Sequence, residues 1–446
     1  MSKFAHRMAA LGTENAFKLG ADIARCEARG IDVVRLNLGE PDAESAPHIN
    51  AAAIAAIQAG NSHYCDPAGL ATLRRAIATH IERTRGIEVD LDRVIVTTGG
   101  KPSIGYTMQT YVDPDDEVIY PSPGFPIYES WVTFVGGRPV PLHLREEDGF
   151  AVTADALRRC ITPRTKVIIL NSPSNPTGAV LTTPELAEIA AVIRARCSDD
   201  VRVYSDEIYE HILFDGARHA SIASQPRMAE RTIIASGHSK GFAMTGWRLG
   251  YVVLPTVEEA ARFTQLNINV VSCVPPFVQE GGRAALESAE SEGVVTRMVT
   301  AFQERRDRVV RMLNEIPGVR CVMPVGAFYV FPNVAGVCER LGLIEAHASL
   351  PAAERARTSP STLLQRFLLE RHGVATMDRN SFGRIGAEGE HYLRLSIATA
   401  MDRLQVGIQR IADASQDEAG CLAFLNDEIG GMRVKRGMAV TSGSAQ

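Results

Sequence analysis

The chain has 446 residues, 45% of them hydrophobic and 22% charged, with a formal net charge of -5. That length exceeds what one hydrophobic core usually fills, which predicts a large and a smaller domain, and the acidic balance leaves no global basic field for nucleic acid or anionic membrane. The eight cysteines are scattered without a CxxC pair or a cluster with histidine, no stretch reaches the roughly 18 apolar residues of a membrane span, and MSKFAHRMAALGTENAF lacks a signal-peptide core, so the expectations are a cytoplasmic address, reduced cysteines, no metal and a small-molecule partner.

Residues 15–30 have helical periodicity and end on Gly30, after which IDVVRLNLG reads as a short strand entering the turn Gly39-Glu40-Pro41-Asp42. From about 93 to 254 the β-branched runs RVIVTT, DEVIY, TKVIIL, VRVYS, RTIIAS and LGYVVL alternate with helical patterns. This is the rhythm of an α/β domain around a mostly parallel, buried sheet. After about 285 come a charged helix over roughly 292–315, a strand pair near GVRCVMP and GAFYVFPNV, a helix near 361–373 and a final strand in HYLRLSIAT, together a separate α+β domain. The Ala-rich stretch 343–360, with two prolines, reads as an insertion or mobile loop, and the tail after about 430 as frayed. The expected divisions are an N-terminal segment 1–45 packing with the small domain, a large domain 46–285, a small domain 286–415 and an extension 416–446.

Ligands of open α/β sheets bind beyond the carboxyl ends of the strands. Four predicted strands run directly into short polar or glycine-containing segments: TTGGKPSI (97–104), NSPSNPTG (171–178), SDEIYE (205–210) and SGHSKGFAMTGWRLGY (236–251). With LNLGEPD (36–42), HYCDPAGL (63–70) and YLRLS (392–396), they resemble, in family order over about residues 10 to 412, the motifs of the class I/II aminotransferases of pyridoxal-phosphate (PLP) fold type I, and within them the bacterial aspartate aminotransferase-like branch. The resemblance implies an α/β fold with a mostly parallel seven-stranded sheet in a large domain beside a smaller α+β domain. It also implies pyridoxal 5′-phosphate as cofactor, amino acid and 2-oxo acid substrates, and a homodimer with shared active sites.

A PLP enzyme needs an amine to hold the aldehyde as an imine, a carboxylate for the pyridine nitrogen and an anion pocket for the phosphate. By resemblance Lys240 is the amine and Asp206 the carboxylate, while Tyr209 and Asn175 donate to the cofactor's phenolic oxygen. Gly100 and Lys101 open a helix after a glycine turn, where backbone N–H groups and the helix dipole favour an anion; Ser239 and Arg248 complete this pocket, and Tyr64 resembles a tyrosine that reaches the neighbouring subunit's phosphate. Phe125 stands where the family stacks an aromatic ring on the cofactor, and Ile208 is expected on the opposite face. Arg394 resembles the arginine that grips the substrate α-carboxylate in a two-pronged hydrogen bond, helped by the N–H of Gly39.

Some positions depart from the family pattern. His238 replaces a small or apolar residue and either faces the phosphate or packs beneath it; Arg379 either touches a substrate side chain or pairs with Asp378. Lys101, in GGK, resembles a lysine that also meets a distal substrate carboxylate, yet Glu14 falls near the same place and would repel it. No arginine or lysine lies between Arg262 and Arg283, where other aspartate aminotransferases supply one from the partner. The expected function is therefore a ping-pong aminotransferase with an aspartate- or glutamate-like donor. A carbon–sulfur lyase or other elimination enzyme of the same fold and a non-catalytic PLP-binding relative are the alternatives.

Overall fold

The computed structural model describes residues 3–12 and 14–427, so the expected frayed tail lies outside the described residues. The described residues divide into two compact units: one of 3–12, 14, 39–304 and 324–329, the other of 15–38, 305–323 and 330–427. The division differs from the expected one. Residues 39–45, 286–304 and 324–329 belong with the larger unit, as do 3–12 and 14, because the chain crosses between units inside the helix Ala289–Asn314 and again near Tyr329 rather than at one linker.

The larger unit is built on a seven-stranded sheet. Its strands are β1 (Val94–Thr97), β2 (Glu117–Ser122), β3 (Arg138–His143), β4 (Thr165–Asn171), β5 (Arg202–Asp206), β6 (Thr232–Gly237) and β7 (Gly250–Val253), in the spatial order β1-β7-β6-β5-β4-β2-β3. The sheet is parallel except at β7, which pairs antiparallel with both β1 and β6. Strands β1, β2, β6 and β7 are buried at every position, as the near-continuous apolar runs require of a sheet covered on both faces. The sequence reading missed β3. Its segment RPVPLH carries two prolines and half-exposed positions, a pattern that only an edge strand tolerates, and β3 is the edge.

In the smaller unit, Asn15–Ala28 is the expected first helix, and Val34–Arg35 pairs in parallel with Val374–Ala375. Met377–Asp378 pairs antiparallel with Leu393 and Arg394. The expected pair around GVRCVMP and GAFYVFPNV shrinks here to a bridge between Arg320 and Asn333. The stretch 343–360 is not a loose loop. It forms the helices Leu343–Ser349 and Ala352–Arg355, held by buried Leu343 and Leu350 and by a hydrogen bond between the His347 ring and the Thr358 carbonyl. The alanines that read as low complexity serve as good helix formers there. Among the described residues no helix is long and apolar enough to cross a membrane.

Candidate active site

Registration of the central strands gathers polar side chains at one end of the sheet. Asn171, the last residue of β4, pairs in register with Asp206, the last of β5, which in turn pairs with Ala235 of β6. Asn171 then fixes the adjoining turn: its Nδ2 donates to the Asp206 carbonyl at 3.0 Å, and its Oδ1 accepts from the N–H of Asn175 at 2.9 Å. Asn175 is buried beside this strand end.

Asp206 is buried, with Tyr128 donating its hydroxyl to Oδ2 at 2.6 Å and the N–H of Ile208 donating to Oδ1 at 3.3 Å. Burial pushes the carboxyl up to about 6, against the pull of the Tyr128 hydroxyl and the charge of Lys240. Lys240 comes just after β6 and donates from Nζ to the Gly39 carbonyl at 2.5 Å, with Nζ 5.8 Å from the centre of the Phe328 ring. Tyr209 is buried, its hydroxyl 2.9 Å from that of Tyr329.

Gly100 caps the helix Lys101–Tyr111, so the backbone N–H groups of its first turn, which have no carbonyl of an earlier helical turn to meet, lie after the Thr98-Gly99-Gly100 turn at the end of β1. Gly99 has a φ of +83°, and a Cβ there would overlap the Arg248 guanidinium; a Cβ on Gly250 would come within 2.6 Å of the Gly99 backbone. Glycines thus let an arginine and two backbone segments converge where a helix presents donors. Arg248 is itself held at a φ of +55°, with Nη1 donating to the Thr245 carbonyl at 2.6 Å. Ser239 is buried next to Lys240. The Phe125 ring meets Tyr128 edge-on at 5.7 Å and lies 5.9 Å from Lys101 Nζ. Tyr64 is 89% exposed, so within this single chain it does not join the other residues.

The open alternatives at the departing positions resolve. His238 is buried, hydrogen-bonded to the Gly282 carbonyl at 3.1 Å and packed on Phe242 and Tyr251; burial lowers its imidazole to about 3, which suits packing rather than phosphate contact. Arg379 is also fully buried and donates to Glu390 at 2.6 Å and to the Gly383 carbonyl at 2.8 Å, while Asp378 caps the turn at Ser381. Of the two readings of Arg379, the pairing with Asp378 gives way to one with Glu390. In the smaller unit Arg394 is buried, with Nη2 donating to the Asn37 carbonyl at 2.5 Å and its guanidinium 4.9 Å from the Phe382 ring centre. Glu14 forms an ion pair with Lys101.

Sequence reasoning missed a buried charged network beneath this edge. Arg85 donates to Glu207 at 2.7 Å and lies 2.6 Å from Glu210, and these glutamates flank Asp206 and Tyr209 in the chain. Ser205 and His219 also bond Glu207; Ser236 and His80 bond Glu210. Burial favours the neutral acids, but Arg85 and His219 hold Glu207 down to about 2, and Arg85 with His80 keeps Glu210 well below its usual range. His80, Glu210 and His211 also bring three ligand-type groups together, but Arg85 already supplies the cation. The signal was the pair of acids in SDEIYE, which needs a buried cation that only the fold brings near.

These residues fit pyridoxal phosphate. One amine lies in the same unit as a buried carboxyl at a strand end, and a glycine-lined helix start sits against an arginine. Residues 31–411 match the family model "Aminotransferase class I and II". The chain is 35% identical over 414 residues to the probable aspartate/prephenate aminotransferase of Aquifex aeolicus, covering 93% of this chain and 98% of the relative. It is likewise 35% identical over 388 residues to aromatic-amino-acid aminotransferase 2 of Thermococcus litoralis, covering 86% and 92%. The crystal structure of the aspartate aminotransferase from Rhizobium meliloti superposes with a TM-score of 0.84 at 32% identity, covering 93% of this chain and 99% of that one. None of these relatives favours the lyase or the non-catalytic alternative, and with a family match over most of its length the chain belongs to the class I and II aminotransferases.

Proposed function

We propose that this aminotransferase uses pyridoxal 5′-phosphate to move the amino group of an L-amino acid, aspartate- or glutamate-like, to a 2-oxo acid such as 2-oxoglutarate in a ping-pong cycle. The observation that carries the reading is Asp206, a buried carboxyl with a hydroxyl donor at 2.6 Å, in the same unit as the Lys240 amine. When bound, the cofactor supplies an electron-withdrawing ring that stabilises charge on the substrate's α-carbon.

The chain's own groups do the rest. With the cofactor bound, Asp206 would keep the pyridine nitrogen protonated, and the Lys240 amine would take the α-proton at Nζ and deliver it to the cofactor's aldehyde carbon. Tyr209 and Asn175 donate to the ring oxygen, and Phe125 and Ile208 cover the two ring faces. Gly100, Lys101, Ser239 and Arg248 hold the phosphate, with Tyr64 contributed by a second copy in a homodimer. Arg394 and the Gly39 N–H grip the α-carboxylate, which selects amino acids over plain amines. The relatives' names support an aspartate or aromatic donor. Lys101 is the group for a distal carboxylate.

The test is to load purified protein with pyridoxal phosphate and add single amino acids. Aspartate or glutamate should convert the visible absorbance to that of the pyridoxamine form, and 2-oxoglutarate should restore it. Lys240→Ala should lose the lysine-bound absorbance and turn over at least about 1,000-fold more slowly. Wild-type turnover by that variant would end the reading.

A further inference from the structure

Tyr329 was not among the expected site residues, yet its side chain meets two of them. It is 1% exposed. On one side its hydroxyl lies 2.9 Å from that of buried Tyr209, with the rings edge-on at 5.8 Å. On the other it occupies the space a Cβ on Gly39 would need, with the ring carbon bearing the hydroxyl 3.2 Å from that point. Gly39 is the residue whose carbonyl accepts from Lys240 Nζ. Phe328 packs on both tyrosine rings, at 4.7 Å from Tyr329 and 5.6 Å from Tyr209, and faces Lys240 Nζ at 5.8 Å.

A hydroxyl pair has a direction. If Tyr209 donates to the cofactor's ring oxygen, its proton points away from Tyr329, so Tyr329 must be the donor between the two. A hydroxyl that accepts a hydrogen bond is polarised into a stronger donor. The same oxygen also excludes any side chain from position 39 and so sets how closely that backbone approaches.

We propose that Tyr329 is a positioning residue for transamination: its hydroxyl directs the Tyr209 proton toward the cofactor and holds the Gly39 backbone where its carbonyl meets Lys240. The proposal rests on the cofactor placement above. Without the incoming hydrogen bond, Tyr209 becomes a weaker donor to a ring oxygen that carries negative charge, so protonation of the lysine-bound cofactor becomes easier.

The experiment is a pH titration of the visible absorbance, with steady-state kinetics, on PLP-loaded wild type, Tyr329→Phe, Gly39→Ala and the double variant. In Tyr329→Phe the apparent spectral pKa should rise by about half to one unit, and kcat should fall by roughly tenfold with KM changed less. Gly39→Ala collides with the hydroxyl and should lose more activity. Adding Tyr329→Phe removes the obstructing oxygen and should restore about tenfold of that loss, a coupling opposite to additive damage. An unchanged spectral pKa and kcat in Tyr329→Phe, or a double variant no better than Gly39→Ala, overturns the proposal while leaving the cofactor reading intact. A wild type without visible absorbance overturns both. Should Tyr329→Phe fail to fold, wild-type kinetics and spectral pKa in Gly39→Ala would overturn it.

Discussion

Tyr128 donates its hydroxyl to Oδ2 of Asp206 at 2.6 Å, and both side chains are buried. This bond favours the ionised carboxyl that a protonated pyridine nitrogen requires, in a place where burial favours the neutral one. Tyr128→Phe should therefore raise the Asp206 pKa further and weaken PLP binding by about 10- to 100-fold, the worth of a hydrogen bond to a charged group. Titration of the apoprotein by visible absorbance measures this, and unchanged affinity would show that Asp206 does not depend on the tyrosine.

Asp206 also makes the cofactor-free protein pH-sensitive. A folded pKa near 6 lies above the unfolded value of about 3.9, so its contribution to stability is complete below about pH 4 and is lost as the pH rises toward 6. Asp206→Asn should remove that slope, and the apoprotein variant should gain on wild type by up to about 3 kcal/mol between those limits. Urea unfolding at pH 4 and pH 6 tests it; parallel curves for the two proteins would refute the raised carboxyl.

Arg85 carries the opposite sign. Glu207 and Glu210 are held below their unfolded values, so their stabilisation is present above about pH 4.5 and is lost as acid protonates them, Glu207 at about 2. Arg85→Met leaves two buried acids without their guanidinium and should cost about 3–5 kcal/mol at neutral pH. The variant's stability should also depend less on pH in acid. Because these glutamates flank Asp206 and Tyr209 in the chain, PLP affinity should fall as well; a melting temperature within a degree or two of wild type would contradict the network's role.

Glu14 pairs with Lys101, and if Lys101 is the group for a distal substrate carboxylate, as proposed, Glu14 would compete with that carboxylate. Glu14→Gln removes the competing charge and should raise kcat/KM for aspartate roughly tenfold relative to phenylalanine, about 1.4 kcal/mol of discrimination. Equal ratios in the two proteins would remove Lys101 from the specificity of the reaction.

The sequence by itself determined the α/β class, six of the seven strands and the motifs at their ends, because buried parallel strands leave continuous apolar runs and ligand-edge turns need glycine, proline and polar residues at fixed places. The edge strand β3 escaped because its prolines argue against a strand until its place at the rim is known. Helix formation at 343–360 escaped because what anchors it, Leu343 and Leu350 in a buried setting, is tertiary. Only the fold could decide that His238 packs against Gly282, that Arg379 takes Glu390 rather than its neighbour Asp378, and that Arg85 answers two glutamates more than 100 residues away. Tyr329 is the sharpest case: a tyrosine in an apolar run reads as core, and its meeting with Tyr209 and Gly39 arises from contacts 120 and 290 residues distant in sequence, which no local pattern encodes.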